Sequence, residues 1–311
     1  MADASFDVLI IGGGPAGRSA ALILGRCCRN VLVVDAGHPR NAPTQVMHGY
    51  LGHDGISPQD FLVACWRELA QYPGIHRWDG YVERVEKRGS EFTAILADGR
   101  YASGRKLLLA TGVVDELPAI EGLQRFYGKS VHHCPYCDGF ELRGQPLAVY
   151  GQGQHAVEIA RALTCWSRDL LVFTDDIAQI NAAQRRQMRL NGIEIVDDPL
   201  VRLEGEGTQL THVITRSGRR IARRALFFST PTFQQSRIAQ ALGCTFTQCG
   251  GITCRRYQAT DVPGVYAAGN AIKDVHLVIV AAAEGAKAAF GINKALTRED
   301  YSRRAKMKDK E

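Results

Sequence analysis

A strand, glycine turn and helix open the chain, the same unit returns near residue 147, and a later segment continues the first unit rather than the second. Together these observations predict an α/β protein of two Rossmann-like dinucleotide-binding domains, three-layer ββα type, one inserted in the other. The first domain is expected at residues 1–115 and 246–311, and the inserted domain at residues 116–245. A length of 311 residues suits two domains, each with its own core.

Phe6 to Ile11 is an apolar run fit for a strand buried on both faces, and it leads through Gly12-Gly13-Gly14-Pro15-Ala16-Gly17 into an apolar helix from Ser19 to Leu24. Gly12 suits the tight turn, Gly14 lets backbone approach a pyrophosphate, and Gly17 lets helix and strand pack closely. The helix N-terminus meets the negative charge. A second strand from Asn30 to Val34 ends in Asp35, 18 residues after Gly17, where a carboxylate accepts a ribose hydroxyl.

The pattern recurs with Leu147 to Tyr150 as strand, Gly151-Gln152-Gly153-Gln154-His155-Ala156 as fingerprint and Val157 to Leu163 as helix. Leu170 to Phe173 is the following strand, and Asp175 lies 19 residues after Ala156. A further landmark repeats: Gly99 precedes Thr111 by 12 residues, and Gly218 precedes Thr230 by the same 12. Matching landmarks in matching order indicate internal duplication. Val262 to Asn270 then adds a strand and Val280 to Phe290 a small-residue helix, which do not continue the second unit and are expected to return to the first.

Lys and Arg total 38 against 32 Asp and Glu, a net +6 concentrated in Arg216 to Arg224 and in the tail from Tyr301. A solvated hairpin and a frayed end account for both clusters, with a docking patch for an acidic carrier protein as the other reading. Nothing resembles a recognition helix or an RNA-binding aromatic motif, so nucleic acid is not an expected partner. No run approaches the roughly 18 apolar residues that cross a bilayer, and no export signal follows Met1, so the cytoplasm is the expected location.

Nine cysteines without an export signal are expected as thiols, with Cys27, Cys28, Cys65 and Cys165 buried as small hydrophobes. One pair has chemical spacing, Cys134-Pro135-Tyr136-Cys137. A CxxC at a helix start favours one thiolate and hence cycling between dithiol and disulfide, for which a flavin is the natural two-electron partner. Zinc is the competing reading, with Cys244, Cys249 and Cys254 as further ligands, but a second closely spaced ligand pair is missing and no metal is expected.

With these motifs in place the chain resembles the low-molecular-weight thioredoxin reductases over nearly its whole length: GGGPAG at Gly12, ATG at Ala110, CPYCDG at Cys134, GQGQHA at Gly151 and VPGVYAAGN at Val262. Within that family it is most similar to the gliotoxin- and holomycin-type dithiol oxidases and to the diflavin-linked disulfide oxidoreductases. The resemblance implies FAD on the discontinuous domain, held by Gly12, Gly14, Pro15, Ala16, Gly17, Asp35, Ala36, Arg40, Asn41, Gln45, His48, Thr111, Gly112, Gly269 and Asn270. It implies that Cys137 faces the flavin while Cys134 exchanges with substrate, with Asp138 as proton relay. His133 is a further acid/base candidate, and His132 reads as a satisfied loop histidine. It also implies a homodimer.

The chain departs from the family at the second nucleotide site, expected at Gly151, Gly153, Ala156 and Asp175. Where NADPH-dependent members carry a basic cluster, this sequence has Thr174-Asp175-Asp176, which repels a 2′-phosphate and suits an unmodified ribose. NADPH is disfavoured, and NADH or a second FAD is the alternative occupant. Phe227, Phe228 and Phe233 read as core or as a stacking surface, and Asn270 replaces the family's usual Asp. The expected function is therefore an FAD-dependent dithiol/disulfide oxidoreductase not driven by NADPH, exchanging electrons with oxygen or a carrier protein and acting on thioredoxin or a small dithiol. The alternatives are an NAD(P)H-dependent thioredoxin-disulfide reductase and, from another class, a flavoprotein redox sensor.

Overall fold

The computed structural model describes residues 5–151, 153–174 and 180–308. The chain forms two compact units: Met1–Arg40, Gln59–Val114 and Phe233–Glu311 make the first, and Asn41–Pro58 with Asp115–Thr232 the second. In chain order the first stretch contains β1 (Ser5–Ile11), α1 (Pro15–Arg26), β2 (Val31–Asp35), α2 (Pro58–Leu69), β3 (Ile75–Asp79), β4 (Val82–Arg88), β5 (Glu91–Leu96) and β6 (Tyr101–Leu109). β7 (Val113–Asp115) leads into α3 (Leu123–Phe126), β8 (Val131–His132), α4 (Pro135–Asp138), β9 (Leu147–Gly151), α5 (Gly153–Leu163), β10 (Leu170–Phe173), α6 (Ala182–Leu190) and β11 (Ile193–Val196). A meander follows, β12 (Leu200–Glu206), β13 (Gln209–Thr215) and β14 (Arg220–Ala222), before β15 (Ala225–Ser229). β16 (Thr232–Gln234) returns the chain to α7 (Ile238–Ala241), β17 (Val265–Ala267) and α8 (Val278–Lys308).

In the first unit the parallel strands run β3-β2-β1-β6. The far edge of β6 is shared, its first half pairing antiparallel with β5 and its last three residues parallel with β17. Alternation along β1 sends Leu9 and Ile11 into the core beside β5 and α7, and Val8 and Ile10 into the core beneath α1 and α8. An apolar run without visible alternation is what a strand covered on both faces requires.

The second unit repeats that order. Its parallel sheet runs β11-β10-β9-β15-β8, so β9, β10, β11 and β15 occupy the places of β1, β2, β3 and β6 in the first unit. The antiparallel β12-β13-β14 meander packs on one face, around Phe126, Leu203, Val213 and Phe228. α5 covers the other face through Ala156, Val157, Ala160 and Leu163. The paired landmarks behave alike, since Gly99 and Gly218 both take left-handed turns, φ +84° and +86°.

Besides a one-residue shift at Asp115, the units differ from the sequence boundaries in two places. Residues 233–245 belong to the first unit because Ile238, Ala239 and Cys244 enter its core. Asn41–Pro58 belongs to the second, where Thr44 Oγ1 donates to Gly128 O and the backbone of Pro43 closes on Gly128. α8 runs 31 residues, well beyond the expected stretch: Ile292 and Leu296 keep it in the core past Phe290, and from Thr297 it continues with a largely exposed, charged sequence. Three cysteines expected in the core are exposed: Cys27 and Cys28 leave α1 at its C-terminus, and Cys165 follows α5. Cys65 is half-buried. Among the described residues no helix is long and apolar enough to cross a membrane.

α8 returns to the first unit at backbone distance from α1. A Cβ on Gly285 would lie 2.0 Å from Ala16 O, and one on Gly17 would lie 2.0 Å from Gly12 O. Backbone cannot yield as a side-chain tip does, so Gly285→Ala is expected to cost about 3 kcal/mol of stability through overpacking. Urea denaturation followed by circular dichroism measures this, and an unchanged midpoint would refute the packing constraint.

Candidate functional site

At the carboxyl edge of the first sheet, Gly12 takes φ +108° and a Cβ there would lie 2.2 Å from Ala110 O. Pro15 occupies the first turn of α1, and Gly14 caps the helix without a side-chain hydrogen bond. A Cβ on Gly14 would meet nothing within 4 Å, so the uncapped helix N-terminus opens onto free space. That opening suits a pyrophosphate, which helix amides and dipole would stabilise. The donor set therefore fits the adenosine diphosphate half of FAD.

The other elements of this site come from three places in the chain. β2 ends in Asp35, followed by Ala36, and Oδ1 of Asp35 accepts from Gly37 N at 3.0 Å. β6 ends just before Thr111 and Gly112, the latter at φ +69°. β17 leads into Gly269 and Asn270, and Gly269 at φ +72° brings its α-carbon so near Ala16 that a Cβ would sit 2.9 Å from that side chain. Gly12, Gly14, Pro15, Ala16, Gly17, Asp35, Thr111, Gly112, Gly269 and Asn270 are thus carried by the same unit. Arg40 ends that unit's first stretch, whereas Asn41, Gln45 and His48 lie in the segment that packs with the second unit. There His48 stands 3.4 Å from Asp54 and 3.6 Å from Glu141.

Sequence reading missed Glu284, on α8. Its Oε2 accepts the N–H of Gly269 at 2.7 Å, which secures the turn that presents Asn270. Burial pushes its carboxyl up to about 7, against the stabilising Gly269 hydrogen bond.

In the second unit, Cys134 and Cys137 form a disulfide with Cα atoms 5.3 Å apart. Cys134 caps α4, its Sγ accepting from Cys137 N at 3.1 Å. The pairing of β8 with β15 sets the two histidines apart. His132 is buried beside Phe227 and places Nδ1 3.1 Å from Oδ1 of Asp138, while His133 packs against Tyr127 and Phe228. The Asp138 neighbour is therefore His132 rather than the histidine favoured from sequence. The β8 pairing that places it leaves no local sequence signal. Tyr136 projects into solvent with one edge against Trp166, and Gly139 is required because a Cβ would lie 2.8 Å from that indole.

The second fingerprint forms as expected at Gly151, Gly153 and Ala156, with Gly153 at φ +51° opening α5. Asp175 and Asp176 lie outside the described residues. Beside them, at the end of β10, Thr174 Oγ1 donates to Asp197 Oδ1, and Arg185 grips Asp197 through two 2.8 Å contacts. That fork holds the Asp197 carboxyl below its ordinary range. Phe227 and Phe228 are fully buried core, and Phe233 is exposed in the first unit. Among the described residues no three His, Cys, Asp or Glu side chains converge as metal ligands. Cys244 is buried, and burial drives the Cys254 thiol up to about 12.

The model of the pyridine nucleotide-disulphide oxidoreductase family matches residues 6–285. Thioredoxin reductase sirT of Leptosphaeria maculans is 31% identical over 97% of this chain and 98% of its own. A probable thioredoxin reductase of Arthroderma benhamiae is 32% identical over 61% of this chain, and the match spans 51% of that protein. The crystal structure of HlmI superposes with a TM-score of 0.94 at 35% identity, covering 98% of this chain and 97% of the other.

Glu284 gives the first unit a pH signature. Its folded pKa of about 7 exceeds the ordinary 4.5, so the folded state retains a proton that the unfolded chain releases. Stability contributed by this group is complete below the unfolded value and falls as pH rises to about 7, by about 3 kcal/mol at most. Glu284→Gln keeps the acceptor for Gly269 and cannot ionise. Between pH 5 and pH 8 its unfolding free energy is expected to fall by about 2 kcal/mol less than that of the unsubstituted protein, measured by urea titration at both values.

Proposed function

Since the chain belongs to the pyridine nucleotide-disulphide oxidoreductases, and within them to the thioredoxin reductase-like proteins, we propose that it is an FAD-dependent dithiol/disulfide oxidoreductase not driven by NADPH. The observation that carries this reading is the Cys134–Cys137 disulfide beside the contact of Asp138 with the buried His132. A substrate dithiol gives its thiolate to one sulfur of that disulfide, forming a mixed disulfide and releasing the other cysteine as thiolate. The second substrate thiol then displaces the remaining cysteine, so the substrate leaves oxidised and the protein holds two thiols. Asp138, oriented by His132 Nδ1, directly follows Cys137 and lies one helical turn after Cys134, and serves as the proton station for the departing thiolate. Bound FAD supplies the two-electron acceptor or donor that resets the pair.

The second site supports the exclusion of NADPH. A 2′-phosphate needs an uncommitted cation at the end of β10, and Arg185 there is already committed to Asp197. The turn at Gly153 that opens α5 suits a pyrophosphate, and with Arg185 committed the occupant is NADH or the adenosine half of a second FAD. Thioredoxin or a small-molecule dithiol is the substrate class, with oxygen or a carrier protein as the other electron partner. A homodimer in the cytoplasm is the assembly and location this reading carries.

Anaerobic stopped-flow absorbance of the purified flavoprotein tests the proposal. Dithiothreitol is expected to bleach the flavin within seconds, and NADPH at least 100-fold more slowly, on the order of the cost of losing one charge-assisted phosphate clamp. Cys137→Ser is expected to abolish bleaching by dithiothreitol while leaving the yellow chromophore bound. Rapid bleaching by NADPH would overturn the exclusion of that donor, and thiol bleaching that survives Cys137→Ser would overturn the assigned redox pair.

A further inference from the structure

Arg18 follows the last glycine of the first fingerprint and is 6% exposed, yet no phosphate-binding role calls for a cation there. Its guanidinium reaches Asp35 Oδ2 through Nη2 at 3.1 Å and donates from Nη1 to the carbonyl of Leu62 on α2. The guanidinium lies over the ring of Trp66, 4.8 Å from its centroid, and Arg77 lies over the same ring at 4.9 Å. Arg18 Nε and Trp66 Nε1 are both buried without a hydrogen-bond partner. A buried cation with an unpaired donor is an expensive feature, and apolar packing of α1 on α2 would serve stability better.

What the arrangement controls is Asp35. A Cβ on Gly13 would lie 2.3 Å from Asp35 Oδ2, so this carboxylate lies flat against the fingerprint backbone. Gly37 N holds Oδ1 and Arg18 holds Oδ2. A carboxylate has about four acceptor positions, and these two bonds fix its plane while leaving one position on each oxygen. Removing Arg18 would leave the carboxylate held by Gly37 N alone and free its other oxygen to rotate away.

We propose that Arg18 is the positioning residue for adenosine-ribose recognition, tying the ribose-binding carboxylate of Asp35 to the same helix whose N-terminus receives the pyrophosphate. The inference rests on the FAD reading above. It makes α2, through Leu62 and Trp66, a part of the nucleotide site without touching the nucleotide.

The test titrates flavin-free protein with FAD and with its 2′-deoxyadenosine analogue, following quenching of flavin fluorescence. Unsubstituted protein is expected to bind FAD about tenfold more tightly than the analogue, the worth of one hydrogen bond to a charged group. Arg18→Met is expected to bind FAD about tenfold more weakly and to reduce the FAD-to-analogue ratio to below about twofold. A merely structural Arg18 would weaken both ligands alike and leave the ratio at its original value, which would overturn the proposal. If Arg18→Met does not fold, Arg18→Lys decides by the same ratio, since an ammonium cannot hold Asp35 and Leu62 O as a fork. A reduced ratio supports the proposal and an undiminished one overturns it. Unsubstituted protein that binds FAD without discriminating the analogue would remove the role of Asp35 and so refute the proposal alone, whereas failure to bind FAD at all would refute the flavin reading itself.

Discussion

Contact at backbone distance between α8 and α1 is the constraint on which the first unit depends. The chain leaves this unit after Val114 and returns at Phe233, so the two stretches are covalently remote and must be rejoined by packing. Gly285 against Ala16 and Gly269 beside the Ala16 side chain supply that junction, and neither position has room for a Cβ. The same approach places Glu284 under Gly269, which accounts for the burial of a carboxyl that would otherwise seek water. Insertion of a second unit into a nucleotide-binding domain is tolerable here because the site is closed by helix packing rather than by chain continuity.

The two units show one topology with two electrostatic outcomes. In each, a parallel sheet places a glycine turn and a helix N-terminus at the carboxyl edge of its central strand, and the next strand carries an acidic residue or leads to one. In the first, Arg18 neutralises Asp35 from within the fingerprint helix and leaves acceptor positions facing outward. In the second, Arg185 approaches from α6 and spends both arms of its fork on Asp197. The duplicated frame thus pairs its acidic groups differently in the two units, from within the fingerprint helix in one and from a neighbouring helix in the other.

How much of this was legible follows from the range of each interaction. Phe6 to Ile11, the glycine fingerprints and the Gly99 and Gly218 turns were readable because strand burial and left-handed turns leave marks in adjacent residues. The small-residue face of α8 was readable for the same reason, and Ile292 and Leu296 extend its stripe, while the charged continuation past Leu296 carries none and left the helix end open. The distinction between His132 and His133 was not readable, because a two-residue strand paired with β15 decides which ring meets Asp138. Nor was the clasp of Asn41–Pro58 by Gly128 and Glu141, or the Arg18 contact with Asp35, each of which joins residues brought together only by tertiary structure. Exposure of Cys27, Cys28 and Cys165 has a local cause, since apolar neighbours suggested burial but each residue stands just where a helix stops.

The redox pair draws its setting from the same economy. α4 is a single turn with little dipole of its own, so the control of Cys134 and Cys137 has to come from neighbours. Cys137 N already donates to Cys134 Sγ, and a thiolate at that position would keep this hydrogen bond and strengthen it. Asp138 follows in the same turn, and its Oδ1 lies 3.1 Å from Nδ1 of His132, a ring held by β8 against Phe227. A buried imidazole thus fixes the carboxylate that follows the second cysteine, so a turn too short to order its own side chains takes that order from the sheet.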